Sequence, residues 1–111
     1  MDTTLLDSGQ LSARLELEMP QPVTDGQGGI VAGYAIVASL WAMIEPVAMP
    51  DREQADRAVF SITHRITIRF RDDVTAGMRF RKGARLFIIR AHSDPDERRR
   101  YLVCRCEEDG R

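Results

Sequence analysis

Cys104 and Cys106, together with His64 and His92, are the residue types in this chain that could ligate a metal or supply a nucleophile. Structural zinc takes four ligands at characteristic pair spacings, and no second Cys or His pair stands at such a spacing here. On a strand, positions i and i+2 point to one face without the geometry for an easy mutual disulfide, so both cysteines are expected reduced, as small core residues. Carboxylate pairs are the next candidates. Glu16 and Glu18 face outward by strand parity and Asp72-Asp73 falls in a turn, so neither pair reads as an acid–base couple in a pocket. Neither histidine has a Ser or Cys partner at a turn. The stretch Asp25-Gly26-Gln27-Gly28-Gly29 invites comparison with a phosphate-cradling loop, but Val31 occupies the last glycine position of the dinucleotide fingerprint and no helical pattern follows. It reads as a hairpin tip. No catalytic residue, metal or cofactor is therefore expected.

The elements around these residues read as sheet. In residues 63–90, Ile66, Ile68 and Phe70 fall on one parity and Arg65, Thr67, Arg69 and Arg71 on the other, which predicts a half-buried strand. Gly77 opens a second alternating run with Met78 and Phe80 inward and Arg79 and Arg81 outward, and Lys82-Gly83 turns the chain. Leu86, Phe87, Ile88 and Ile89 are consecutive and apolar, which suggests a strand covered on both faces, as in a small barrel wall or a subunit contact. Upstream, Leu11, Ala13, Leu15, Leu17 and Met19 alternate with polar residues until Pro20 and Pro22 end the first strand. A long strand is expected from Tyr34 to Glu45, bent near Ser39 and closed by Pro46, with Trp41 as a core anchor. The last strand is expected over residues 98–107, opening on Arg98-Arg99-Arg100 as a solvated edge that deters edge-to-edge pairing, and residues 107–111 as a frayed tail. These add up to an all-β, small antiparallel β-barrel forming a single domain over residues 1–111, with residues 1–10 as an N-terminal arm.

One segment does not fit a barrel wall. Residues 46–61 carry Pro46 and Pro50, which oppose ladder pairing, and a charged stretch with weak helical spacing at Ala55, Ala58 and Val59. A connection of about fifteen residues is long for strands in a compact domain and is commonly functional or mobile. Two readings stand: a projecting functional loop, or a short helix capping one barrel end.

A chain of 111 residues is long enough to bury roughly two thirds of its unfolded surface without staples. The acidic, polar N-terminus does not read as a signal peptide, and the apolar run of residues 30–44 is interrupted by Gly33, Tyr34 and Ser39, so a soluble intracellular protein without a membrane span is expected. Charge is unevenly distributed. Residues 1–60 hold three Arg against nine acids, a net of -6, whereas residues 61–111 hold thirteen basic residues against eight acids, a net of +5. Such opposition suits pairing across strands and equally suits copies that meet acidic side to basic side. A basic face interleaved with Phe70, Phe80 and Phe87 leaves open a small barrel that binds single-stranded nucleic acid, using the outward Arg65, Arg69, Arg79 and Arg81. By parity, however, Phe70 and Phe80 point to the core.

The ordered set Asp25-Gly26-x-Gly28-Gly29, Leu40-Trp41-Ala42-x-x-Glu45-Pro46, the run Thr63-His64-Arg65-Ile66-Thr67-Ile68-Arg69-Phe70-Arg71, Gly77-Met78-Arg79 and the final strand resembles the phage head closure, or head-tail joining (stopper), protein family. That family includes prophage and gene transfer agent members, and the likeness covers about residues 11–108. The resemblance implies a structural head completion protein: a barrel that assembles as a ring beneath the portal and adaptor proteins, seals the packaged double-stranded DNA and docks the tail terminator or tail tube below. An adaptor-side role at the same junction is a further possibility. It implies location in a virion or phage-like particle at the head-tail junction, assembled in the bacterial cytoplasm. The family's stopper loop maps to residues 46–61, so Asp51, Arg52, Glu53, Gln54, Asp56 and Arg57 become the expected channel plug, and Arg98, Arg99 and Arg100 an expected subunit or partner interface. Beads roughly 30 Å across placed around a hole of roughly 20 Å number about five or six, which makes a hexamer the expected ring. Two features depart from the family pattern: Glu16 and Glu18 replace a basic first strand, and Val47-Ala48-Met49-Pro50-Asp51-Arg52-Glu53 replaces a Gly-Arg-Glu loop start.

Overall fold

Alternating apolar residues become eight strands in the computed structural model, which describes residues 8–55 and 58–109. They are β1 (Ala13–Pro20), β2 (Val23–Thr24), β3 (Ile30–Val31), β4 (Tyr34–Ala55), β5 (Ala58–Arg69), β6 (Arg79–Lys82), β7 (Arg85–Ser93) and β8 (Tyr101–Asp109). A short 3-10 turn, Ser8–Gln10, precedes them. The other residues of the expected N-terminal arm, 1–7, lie outside the described residues.

Six strands close into an antiparallel barrel in the order β1-β4-β5-β8-β7-β6. Closure is made by β1 against the short β6, where Glu16, Leu17 and Glu18 stand opposite Arg81, Phe80 and Arg79. The expected meander turn is Gly83, whose φ of 61° suits the first central position of a two-residue hairpin between Lys82 and Arg85. Leu15, Leu17, Ile66, Ile68, Phe80, Phe87, Ile89, Leu102, Cys104 and Cys106 face inward and form one core with Val74 and Met78. In β7, Phe87 and Ile89 are buried while Leu86 and Ile88 are half-buried on the outer face, which accounts for the unbroken apolar run.

Several expectations are corrected. The described residues of the 46–61 segment, 46–55 and 58–61, are strand and not loop or helix. β4 continues through them to Ala55 and β5 begins at Ala58, so the segment is an antiparallel hairpin arm with Asp51 opposite Ile62, Glu53 opposite Phe60 and Ala55 opposite Ala58. The prolines are absorbed by a register break: the five-residue step from Pro46 to Asp51 faces the two-residue step from His64 to Ile62. Arg98, Arg99 and Arg100 lie in the turn before β8, not in the strand, and β8 is flanked by β5 and β7 and so has no open edge in the barrel. Glu107, Glu108 and Asp109 belong to β8 instead of a frayed tail. Trp41 is 52% exposed and is not a core anchor, because it shares the outer face with Arg14, whose guanidinium lies 4.9 Å from its ring.

A second projection has no counterpart in the expectations beyond its tip. Past Glu18 no residue of β6 remains to pair with β1, yet β1 and β4 stay paired out to Pro20 and Tyr34. The ribbon is extended by Gln21 N donating to Gly33 O at 2.8 Å and by the β2–β3 pair. Asp25 caps its tip, accepting from the backbone N–H of Gln27 and of Gly29, while Gly26 and Gly28 adopt φ of 81° and 84°. Met19 keeps inward parity but lies past the core, and is 46% exposed. The molecule measures 53 × 29 × 25 Å, elongated by these projections.

Candidate functional site

The arm places Asp51, Arg52, Glu53 and Gln54 on β4, opposite Ile62, Ser61, Phe60 and Val59. Asp56 and Arg57 lie outside the described residues. A two-stranded ribbon alone is marginal in water, so its direction depends on how its root is held.

The root is a polar cluster at the barrel rim. His64, 8% exposed, stands in register between Pro46 and Cys106 and sets its ring edge-on to Phe87, with centroids 5.0 Å apart. Its Nδ1 lies 2.9 Å from Thr63 Oγ1, which accepts the Glu108 backbone N–H at 2.8 Å. Glu108 accepts from Arg85 Nε and Nη2 at 2.8 and 3.2 Å. β5, β7 and β8 are thus tied together where the arm leaves the barrel.

Glu18 stands on the outer face as parity predicts, but it is buried rather than solvated. Arg79 Nε and Arg81 Nε donate to its two oxygens at 2.6 and 2.8 Å, and Arg79 also lies 3.5 Å from the Tyr34 ring centroid. Desolvation pushes the Glu18 carboxyl up, but the hydrogen bonds and charges of Arg81 and Arg79 outweigh it and leave the group below the ordinary carboxylate value. A depressed folded value stabilises the fold above the unfolded carboxylate range, near pH 4.3, and this contribution is lost as pH falls through the folded value. Glu18→Gln is expected to lower stability by roughly 2 kcal/mol at pH 7, since hydrogen bonds to charged groups are worth about that much. The gap in melting temperature between the two proteins should shrink toward zero below pH 4; a gap independent of pH would contradict the clamp.

Arg98, Arg99 and Arg100 are exposed and cluster at the turn that leads into β8. Asp94 and Asp96 organise them: Arg99 N donates to Asp94 at 2.8 Å, Arg98 N to Asp96 at 3.1 Å, and the Arg100 side chain pairs with Asp96. The Arg99 guanidinium lies 5.1 Å from the Phe70 ring. β5 carries the arm at its start and reaches this turn at its end, where Phe70 N donates to Arg100 O. Twelve residues of extended chain put about 35 Å between the two, so the structure does not bring the plug and triplet residues into one site.

Phe80 and Phe87 are fully buried, and Arg79 and Arg81 are engaged by Glu18, so these four residues do not form the basic, aromatic face expected of a base-binding barrel. Cys104 and Cys106 are buried, and desolvation pushes the Cys104 thiol up to about 12 and the Cys106 thiol well above its usual value. Both should therefore resist alkylation at pH 8 in the folded protein and react together on unfolding. Rapid labelling of either without loss of structure would contradict their burial.

The described residues thus form a closed antiparallel barrel with a paired-strand arm, and Glu18 and Glu108 tie its strands together through arginines. The chain belongs to the phage head completion protein family, whose sequence profile matches residues 6–109. It is a structural virion component of the head-tail junction. Solved structures similar to it include these two. A chain in the virion of a native gene transfer agent particle is 27% identical, with a TM-score of 0.63 over 88% of this chain and 94% of that one. The solution structure of protein SF1141 from Shigella flexneri 2a is 24% identical, with a TM-score of 0.66 over 95% of this chain and 98% of that one, and shows the shared fold. No curated protein matches the chain.

Proposed function

We propose that the protein is a stopper: a ring of six copies that seals packaged double-stranded DNA beneath the portal and adaptor and docks the tail terminator or tail tube. The observation that carries this reading is the arm, a strand pair continuing β4 and β5 beyond the barrel from a root locked by His64, Glu108 and Arg85. Six barrels of the observed 25–29 Å width, in contact around an axis, leave a hole about one barrel wide, enough for duplex DNA. Pointed at that axis, the arms bring Asp51, Arg52, Glu53, Gln54, Asp56 and Arg57 together as a plug of mixed charge. Mixed charge suits the task, since a strongly basic lining would grip phosphates and slow ejection. Arg98, Arg99 and Arg100, at the other end of β5, contact a neighbouring copy or an adjoining junction protein.

Gln54→Cys tests the arrangement, because the native cysteines are buried. In DNA-filled particles, mild oxidation is expected to give disulfide-linked pairs of the variant chain through residue 54. Absence of such pairs in particles that retain their DNA would overturn the plug.

A further inference from the structure

Among residues 9–48 and 61–109, whose side-chain exposure is described, seven large apolar side chains are substantially exposed, and their distribution is uneven. Six of them, Met19, Val23, Ile30, Val31, Tyr34 and Ile36, lie on the second ribbon, and Ile30 is 73% exposed. The seventh, Trp41, stands on the outer barrel face and lines an open cleft of about 350 Å³ with Gly9, Leu11, Ser12 and Arg69. Concentrated apolar exposure of this kind marks a surface that another molecule covers.

We propose that the ribbon of one copy docks into the Trp41 cleft of the next, making the head-to-tail contact of the ring. This rests on the ring reading above and names the surfaces that build it. The two surfaces match in kind. From Met19 to Ile36 the ribbon has one charged residue, Asp25, at its tip, where hydrogen bonds from Gln27 N and Gly29 N hold its carboxylate ionised. The cleft is flanked by cations, with Arg69 in its wall and Arg14 over the Trp41 ring. An apolar ribbon tipped by one anion therefore meets an aromatic wall edged by two cations. At more than twice the ~150 Å³ that holds a benzene molecule, the cleft has room for one or two branched aliphatic side chains such as Ile30 and Val31.

The ribbon does not fill its own cleft. Ile36 and Trp41 lie on the same extended strand, about 17 Å apart at 3.3 Å per residue, and the ribbon runs away from Trp41. The contact must come from a second chain, and because two different patches are joined, it is heterologous, the kind of contact that repeats from copy to copy and that a closed ring requires.

Trp41 is the only tryptophan in the chain, so its fluorescence reports on the cleft directly. As the wild-type protein self-associates, its emission should shift to the blue and acrylamide quenching should fall in step with sedimentation. Ile30→Asp and Trp41→Ala should each remain folded by circular dichroism and weaken association at least about tenfold, the loss expected for one well-buried side chain. Mixing them should restore a one-to-one dimer, since Ile30→Asp keeps an intact cleft and Trp41→Ala an intact ribbon. The proposal is overturned if Trp41 stays solvent-accessible at all concentrations, if either variant associates like wild type, or if the mixture stays monomeric. Particle imaging separates the two ideas: a ring seen in particles with the ribbon clear of the neighbour's Trp41 sinks this contact alone, whereas no ring sinks the reading beneath it.

Discussion

Replacing residues 52–61 with an Asn-Gly turn should give a folded barrel that assembles into particles but cannot retain DNA. Asp51 and Ile62 face each other in the ladder, so a two-residue turn can join them, and Ile62, 1% exposed, is kept. The core cluster of Leu15, Leu17, Ile66, Phe80, Phe87 and their neighbours lies on segments of the chain that the excision leaves in place. Barrel stability should stay within about 1 kcal/mol of wild type, as for changes away from the core. DNA retention should instead fall to the level of particles lacking the protein, because the part proposed to block the channel is gone while the ring remains. Nuclease protection of packaged DNA checks this alongside thermal unfolding of the purified variant. Full protection with the arm removed would show that something else closes the channel.

The second large effect is on stability. Phe80→Ala is expected to cost roughly 3–5 kcal/mol, the range for emptying a fully buried aromatic site. Phe80 is fully buried and stands in register with Leu17 on one side and Phe87 on the other, so it packs where β1 and β6 close the barrel. Domains of this size hold roughly 5–15 kcal/mol in total, and each kcal/mol shifts the midpoint by several degrees, so Tm should fall by roughly 15–25 °C. An exposed control such as Ile30→Ala should move it little. A shift of only a few degrees for Phe80→Ala would mean that β6 does not seal the barrel.

Much of the barrel was legible because period-two alternation is strong wherever one face meets a core. Ile66, Ile68, Phe80, Leu102, Cys104 and Cys106 are all inward, as their parity predicts. The arm was hidden by its prolines: Pro46 and Pro50 oppose pairing in an unbroken ladder, and the register break that tolerates them leaves no local mark. The β-formers Val59, Phe60 and Ile62 were the signal that β5 begins early. Glu18 is outward, as read, but its burial depends on Arg79 and Arg81, some sixty residues downstream, and on Tyr34, which no local pattern connects to it. Trp41 shows the limit of composition: tryptophans are highly buried on average, but this one follows the parity of Ser39 onto the outer face. Of the second ribbon, local sequence marks only the hairpin tip, since the extent of its apolar exposure follows from β6 ending at the level of Glu18.

The sealing ring is tested most directly by electron microscopy of DNA-filled particles beside tail-less ones. About six barrels are expected in a ring below the portal, with density for residues 46–61 reaching the axis in filled heads and drawn aside where DNA has passed. Particles that lack the ring, or a ring whose arms point away from the channel in every state, would contradict it.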